Sequence, residues 1–297
     1  MSSRRLVDLH THSTASDGAC SPADLVRLAD QAKLAAIALT DHDTIAGLAQ
    51  AREAAQAFPE LTFVPGIEIS AICRTGTLHL LGLGLDVKSH KLQELMASLQ
   101  AARLQRDPIM IAKLQALGLD ITMDDVRAAA TELSAGDKAP GGKASTGVIG
   151  RVHFAEALRR KGYIRTVPEA FERYIGDGGV AYVDKERLTP ADAIVGIHAA
   201  GGLAVLAHPV SLGFENRLQL DRMVRELKQA GLDGIEAYHS DHDDVLTRII
   251  LDMARSLGLG VTGGSDFHGR VKPTVRLGIP HVPLAAINER FRVHLGL

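Results

Sequence analysis

The 297-residue chain predicts a parallel α/β fold interrupted by a helical insertion. Three observations carry that expectation. Short apolar runs alternate with helical stretches over residues 1–88 and again over residues 180–297. Residues 89–179 between them show helical periodicity and no strand pattern. Finally, run after run ends in histidine or a carboxylate. In a parallel α/β barrel the C-terminal strand ends share one mouth, so those residues would meet there.

The elements follow in order. Residues 5–9 read as a short strand with His10 and His12 at its end. Residues two apart in a strand face the same way, so two imidazoles can aim at one point. Asp17 follows in a small polar loop before Gly18. Ser21-Pro22-Ala23-Asp24 starts a helix, with Ser21 as cap and Pro22 at the first helical position. Residues 36–40 form a buried strand ending in Asp41-His42-Asp43, and an alanine-rich helix follows over about 45–57. Residues 61–66 form a third strand that ends at Glu68. Residues 77–85 form a fourth, with His79 near its start.

In the insertion, residues 91–117 make a long amphipathic helix and Thr122 caps another. Helices follow over 151–161 and 168–174. Residues 134–147 are a Gly/Lys/Ser-rich loop, and the turn 176–179 is the exit. Thr189-Pro190-Ala191-Asp192 then repeats the Ser21 pattern and opens a helix to about Ala200. Strands over 203–207, 234–237 and 259–262 end in His208-Pro209, Tyr238-His239 and Gly263-Gly264-Ser265-Asp266-Phe267-His268. Helices cover about 218–230 and 243–257. Residues 275–279 read as a last short strand and 284–295 as a closing helix.

Composition narrows the class. With 46% hydrophobic and 23% charged residues and a net charge of −2, the chain is an ordinary globular protein. It lacks the basic excess of a broad nucleic-acid surface, although a local basic pocket fits. Its two cysteines, Cys20 and Cys73, are too few for a disulfide framework or a thiolate zinc site, and they suit a reducing cytoplasm. No signal-peptide core follows the N-terminus. The longest apolar run, 193–212, is broken by His198, Gly201-Gly202 and His208-Pro209, so no membrane span is expected.

Nine residues stand out as metal-ligand candidates: His10, His12, Asp17, His42, Glu68, His79, His208, Asp266 and His268. That is too many for one ion and enough for two or three. Imidazole and carboxylate without thiolate suit manganese, iron or zinc in catalytic sites. A carboxylate such as Glu68 can bridge two ions. Paired ions hold an attacking hydroxide and neutralise the oxygens of a phosphoryl group.

The set His10-x-His12, Ser16-Asp17-Gly18, Thr40-Asp41-His42-Asp43, Pro65-Gly66-x-Glu68, His79-Leu80-Leu81-Gly82, Ala207-His208-Pro209 and Gly264-Ser265-Asp266-x-His268 resembles the polymerase and histidinol phosphatase (PHP) family, in the family's order. The resemblance implies a distorted, TIM-like (β/α)7 barrel with up to three ions. By that resemblance His10, His12, Glu68 and Asp266 hold one ion; Glu68, His79 and His208 hold a second; Asp17, His42 and His268 hold a third. Many members have histidine where this chain has Asp17, which hardens the third site towards manganese or iron over zinc. The insertion's Gly150-Arg151-x-His153-x-Ala155, Tyr174-Ile-Gly-Asp-Gly-Gly179 and Ala181-Tyr182-Val183 resemble the branch of 3′,5′-nucleotide bisphosphate phosphatases and RNase AM-like 5′-to-3′ exoribonucleases. Val152 stands where proline is expected there.

Other residues carry weaker signals. Arg151, at a helix start, makes sense if an anion binds there. His153 belongs to the same motif, and Lys185 and Arg270 are further substrate-contact candidates. His239 at a strand end touches substrate or catalytic water on this reading, with a structural hydrogen bond as the alternative. Asp266 is a candidate proton carrier. Asp8 and Asp41 are expected to orient the metal imidazoles. Gly141-Gly142-Lys143 lacks P-loop spacing and reads as a loop. His198 reads as a packed core histidine, and His90, His242, His281 and His294 as surface residues.

The function implied is hydrolysis of the 3′-phosphate of a nucleoside 3′,5′-bisphosphate by a metal-bridging hydroxide, with two or three ions, manganese first and iron or zinc as alternatives. The other readings are exonucleolytic cleavage of short 5′-phosphorylated RNA, a histidinol-phosphate or small-metabolite phosphatase, and a non-catalytic metal-stabilised module. The partners expected are a small nucleotide or short RNA, with neither membrane nor obligate protein partner.

Overall fold

A computed structural model describes residues 5–135, 148–176, 178–183 and 188–297. Lys185, Gly141-Gly142-Lys143 and Asp177 of the exit turn lie outside the described residues. The strands are β1 (Leu6–Asp8), β2 (Ala36–Leu39), β3 (Thr62–Ala71), β4 (Leu78–Leu83), β5 (Leu203–Leu206), β6 (Gly234–His239), β7 (Gly260–Gly264) and β8 (Val282–Pro283). They form one sheet in the order β7-β6-β5-β4-β3-β2-β1-β8. The chain beyond β1 returns to β7: Leu9 N–H donates to Gly263 O (3.1 Å), and Asp266 N–H to His10 O (2.9 Å). The sheet is thereby a nearly closed, mixed α/β barrel.

One strand departs from the parallel expectation. β4 runs antiparallel to both β3 and β5, because a short hairpin joins β3 to β4 and leaves no room for a crossover helix. This reversal brings the start of β4, with His79, to the mouth where the neighbouring strands end. β3 runs on past Glu68 to Ala71, because the β4 pairing continues through Glu68 opposite Leu81. Glu68 therefore projects from a strand interior rather than a strand end.

The helices are α1 (Pro22–Gln31), α2 (Leu48–Ala55), α3 (His90–Ala116), α4 (Met123–Ala135), α5 (Arg151–Arg160), α6 (Val167–Ala170), α7 (Pro190–Ala199), α8 (Arg217–Gln229), α9 (Asp244–Leu257) and α10 (Glu289–Leu295). The repeated caps form as read: Ser21 Oγ accepts from Asp24 N–H, and Thr189 Oγ1 from Asp192 N–H, each at 3.1 Å. Residues 275–279 are not a strand; they turn into the Ile279–Pro280 cis bond, and the short β8 follows. The closing helix starts later than expected, at the Asn288 cap, after a 3-10 turn at Leu284–Ala286. Residues 171–175 make a π-helical turn in place of the α-helix expected there.

Apolar burial is divided. The barrel interior and its helix layers bury Val7, Leu39, Leu81, Ile197, Leu206 and Phe291, among others. Helices α4 to α6 and the second half of α3 surround a separate cluster that includes Met110, Leu114, Phe154 and Leu158. Helix α3 joins the two, since Leu92, Met96 and Leu99 pack in the barrel's cluster. No helix among the described residues is long and apolar enough to cross a membrane.

Candidate metal centre

The mouth is built on braced loops. Beyond β1, His12 N–H donates to Phe267 O and Thr40 N–H to Thr11 O, each at 2.9 Å. A Cβ at Gly18 would overlap His12 O, so only glycine lets the loop fold back and return Asp17 to the site. Asp43, His208 and Asp266 all have positive φ (52°, 23° and 56°), a strain that clusters at functional sites.

Asp8 and Asp41 do not orient imidazoles, contrary to expectation. Asp41 accepts from Ser13 N–H (2.8 Å), Ser13 Oγ (2.7 Å) and Ser16 Oγ (2.6 Å). Asp8 accepts from Ser265 N–H (2.9 Å), Ser265 Oγ (2.6 Å) and Gly278 N–H (2.8 Å). Both point at backbone and hydroxyl donors of the loops, and the rings lie elsewhere.

All nine ligand candidates converge. Glu68 Oε2 lies 3.5 Å from His10 Nε2, 3.2 Å from His12 Nε2 and 3.0 Å from His42 Nδ1. Its Oε1 lies 2.7 Å from His79 Nδ1 and 3.0 Å from His208 Nε2. Asp266 Oδ1 is 3.2 Å from His12 Nε2, and Asp17 Oδ1 is 3.3 Å from His268 Nε2. Five groupings among the described residues place ligand atoms close enough for an ion: His10 with His12 and Asp266; His10 with Glu68 and His208; His42 with Glu68 and His79; His12 with Asp17, His42 and His268; and His10 with Glu236 and His239.

The residues fit metal ions on a direct test. His10 Nε2, both ring nitrogens of His12, His42 Nδ1 and Glu68 Oε2 are buried without a hydrogen-bond partner among the described residues. Buried polar atoms are rarely left so, and a cation supplies what they lack. The all-nitrogen-and-oxygen donor set matches catalytic manganese, iron or zinc.

Ring orientation comes from partners the sequence reading passed over. Both oxygens of Glu236 lie 3.2 Å from His10 Nδ1. His208 Nδ1 meets Ser211 Oγ at 2.8 Å, and His268 Nδ1 meets the Asp266 carbonyl at 2.8 Å. In each case Nδ1 is the donor and the lone pair of Nε2 is left facing the cluster, the arrangement that metal histidines use. A signal for Glu236 was present: a charge inside the apolar run 234–237, where an unpaired carboxylate would not be buried. His239 is the reverse case. Its Nδ1 accepts from Asp241 N–H (3.1 Å), so the neutral ring carries its proton on Nε2, which is buried 3.7 Å from Asp266 Oδ2. His239 faces the cluster as a donor rather than as a ligand.

The charges are strongly coupled. Burial disfavours the ionised carboxylates, but facing histidines outweigh it and hold Glu68, Asp17 and Asp266 well below the usual range. Burial opposes protonation of His12, yet Asp266 and Glu68 raise it to about 9. For His79 burial wins over Glu68, and its pKa falls to about 4.

A second, cationic cleft adjoins the cluster. It is lined by Asp17, His42 and His79 on one side and by Arg103, Arg106 and Arg151 on the other. Arg103, absent from the sequence reading like Arg106, donates to Asp43 Oδ2 (2.5 Å) and Ile149 O (3.0 Å), tying α3 to the loop that carries His42. Arg151 packs between the rings of Phe171 (5.7 Å) and Tyr182 (5.4 Å). Arg106 is paired with Asp107 Oδ1 (2.6 Å), as Arg103 is with Asp43, so both are held in place by carboxylates while their guanidiniums still line the cleft beside Arg151.

The remaining candidates fall elsewhere. His153 is buried, and its Nδ1 accepts Gly150 N–H (2.9 Å) as a cap of α5. Burial, reinforced by Arg103 and Arg106 against Asp17, lowers its pKa to about 4. Arg270 donates to the carbonyls of Glu132 and Leu133 (both 2.9 Å) and borders a different cavity, so it clamps α4 rather than reaching the cluster. His198 is not a core residue; its side chain is 41% exposed and pairs with Asp233 Oδ2 at 2.7 Å. His242 is half-buried beside His239 rather than on the surface. His90, His281 and His294 are exposed as expected.

A barrel whose mouth gathers imidazoles and carboxylates in overlapping sets defines a metal-dependent hydrolase. Comparison with known proteins gives the family: the PHP domain matches residues 8–174, and the chain belongs to that family. It is 34% identical to a 3′,5′-nucleoside bisphosphate phosphatase of Chromobacterium violaceum, over 88% of this chain and 87% of that protein. It is 33% identical to a 5′-3′ exoribonuclease of Haemophilus influenzae, over 88% and 89%. A solved structure from Bifidobacterium adolescentis, described as a candidate metal-dependent phosphoesterase, superposes with a TM-score of 0.81 at 30% identity, over 97% of this chain and 94% of that one.

Proposed function

We propose that the protein hydrolyses the 3′-phosphate of nucleoside 3′,5′-bisphosphates to give 5′-monophosphates. The observation that carries this reading is the pair of adjoining sites. One is a cluster that suits metal ions; the other is a cleft of three arginines. A ligand with two phosphates answers both, and the name of the Chromobacterium relative agrees.

We keep the ligand sets that the family resemblance implies: His10, His12, Glu68 and Asp266 would hold one ion, Glu68 with His79 and His208 a second, and Asp17, His42 and His268 a third. The convergence of all nine side chains on one mouth supports this assignment, although the closest groupings pair Glu68 and His208 with His10, and Glu68 and His79 with His42. Manganese is the ion we favour over iron or zinc, on the hardness of Asp17. When bound, the ions supply Lewis acidity and a water of lowered pKa.

The chain's own residues do the rest. Glu236, Ser211 and the Asp266 carbonyl fix the imidazoles. Arg151, with Arg106 and Arg103 behind it, takes the 5′-phosphate, for which a planar guanidinium is suited. His239 holds a proton on Nε2 beside Asp266 and can pass it to the departing ribose oxygen. Helices α3 to α6 form a cap that carries the arginine cleft. We place the enzyme in the cytoplasm with nucleotide as its partner.

The test is phosphate release from adenosine 3′,5′-bisphosphate by manganese-loaded protein, with EDTA-treated protein as control. Absence of metal-dependent release would sink the reading. A second reading, stepwise cleavage of short 5′-phosphorylated RNA, is favoured by the same cleft, which would seat the 5′-terminal phosphate, and by the name of the Haemophilus relative. Turnover of a 5′-phosphorylated dinucleotide without release from the bisphosphate would select it.

A further inference from the structure

Asp266 presents its two oxygens in two directions. Oδ1 faces the cluster, 3.5 Å from His10 Nε2 and 3.2 Å from His12 Nε2. Oδ2 lies 2.5 Å from the Nζ of Lys272. Lys272 follows the 3-10 turn Gly269–Val271, two residues after the arginine that the sequence favoured, and its backbone N–H is fixed to Gly269 O at 3.1 Å. Its side chain is 41% exposed, so the ammonium sits at the rim of the mouth instead of beneath it. It borders the same cleft as His79, His208, Arg151 and Phe171.

An ammonium has three N–H donors. Asp266 is the one partner of Nζ among the described residues, which leaves two donors for a ligand. Lys272 keeps its ammonium at the rim of the cleft, where a ligand can reach it.

We propose that Lys272 binds the phosphoryl group undergoing hydrolysis, its ammonium donating to a non-bridging oxygen while Asp266 Oδ2 holds it in place. The inference rests on the phosphoesterase reading above. The charge of Lys272 is constant through the reaction. Water oxygen bonds to phosphorus, the ester P–O bond breaks, the leaving ribose oxygen takes the proton of His239 Nε2, and the proton lost by the attacking water restores His239; none comes from Nζ. A fixed cation at this point favours a phosphomonoester dianion over a diester monoanion. It thus sets the enzyme's choice of terminal phosphate over internal linkage.

The experiment compares wild type with Lys272→Gln and Lys272→Arg. Metal content is measured by mass spectrometry, orthophosphate affinity by calorimetry on manganese-loaded protein, and kinetics on adenosine 3′,5′-bisphosphate and bis(p-nitrophenyl) phosphate. Lys272→Gln is expected to keep its metal, to bind orthophosphate ~10-fold or more weakly, and to lose ~10²–10³ in kcat/KM on the monoester. The loss on the diester is smaller, and arginine restores part of the phosphate affinity. Unchanged orthophosphate affinity, or affinity lost only in proportion to lost metal, would overturn the proposal. Wild-type protein that turns over no phosphate ester would instead remove the functional reading, while the orthophosphate measurement would still decide the role of Lys272.

Discussion

Both oxygens of Glu236 lie 3.2 Å from Nδ1 of His10, and both residues are fully buried. The carboxylate fixes the ring's tautomer and its direction at once. Glu236→Gln keeps an acceptor but removes the charge that strengthens the imidazole as a ligand. We expect manganese affinity to fall ~10–100-fold with the fold intact, measured by calorimetry. Undiminished affinity would show that His10 needs no such partner.

Asp41 predicts a different outcome. It gathers Ser13 and Ser16 and touches no ring. Asp41→Ala should cost stability, at least about 2 kcal/mol for hydrogen bonds to a buried charge. Its denaturation midpoint will drop more than its metal affinity. The reverse ranking would return Asp41 to the role the sequence first suggested.

Arg151→Ala tests the second phosphate. Loss of a binding contact made equally in ground and transition states raises KM and spares kcat. We expect KM for adenosine 3′,5′-bisphosphate to rise by ~10-fold or more, as removal of a bidentate charged contact implies. Adenosine 3′-monophosphate, which lacks the 5′ group, should be much less affected. Equal losses on both would place Arg151 at the scissile phosphate instead.

At the far end of the barrel, Asp233 gives a pH dependence free of the metals. Burial raises its pKa, but Ala204 N–H, His198 and Arg290 outweigh burial and hold it below the ordinary value. The ionised form therefore favours folding. The contribution is full above the unfolded pKa, near 3.9, and is lost as pH falls through the folded value. Asp233→Asn should be about 1–2 kcal/mol less stable near neutrality. The gap should narrow as pH falls below the unfolded value and close once the folded carboxyl, whose pKa lies lower still, is protonated too. Urea denaturation at several pH values measures it.

The convergence of the nine ligand candidates was legible because strand ends punctuate an α/β chain, and histidine at one strand end after another is easily seen. His79 needed the reversed β4 to make sense, and a one-dimensional pattern does not show strand direction. Glu236 was hidden because its partner, His10, is 226 residues away. Arg103 and Arg106 were hidden by the periodicity of α3 itself, in which they read as ordinary polar positions. Arg270 and His153 are engaged with Glu132, Leu133 and Gly150, which the sequence did not show, because residue type signals anion affinity whereas neighbours decide what the group already holds. The strand read at 275–279 failed because its apolar residues flank Gly278 and Pro280, which turn the chain instead.

Helix α3 spans 27 residues, roughly 40 Å at 1.5 Å per residue. Its first half is packed into the barrel, its second half into the cap, and Arg103 and Arg106 stand between. A cap mounted on a strut of this kind is not a detachable module. Its excision would strip apolar cover from the barrel, and a grafted replacement would have to continue the helix in phase. The two cores should therefore melt as one cooperative unit, and substitutions deep in the cap should register as stability losses of the barrel that carries the metals.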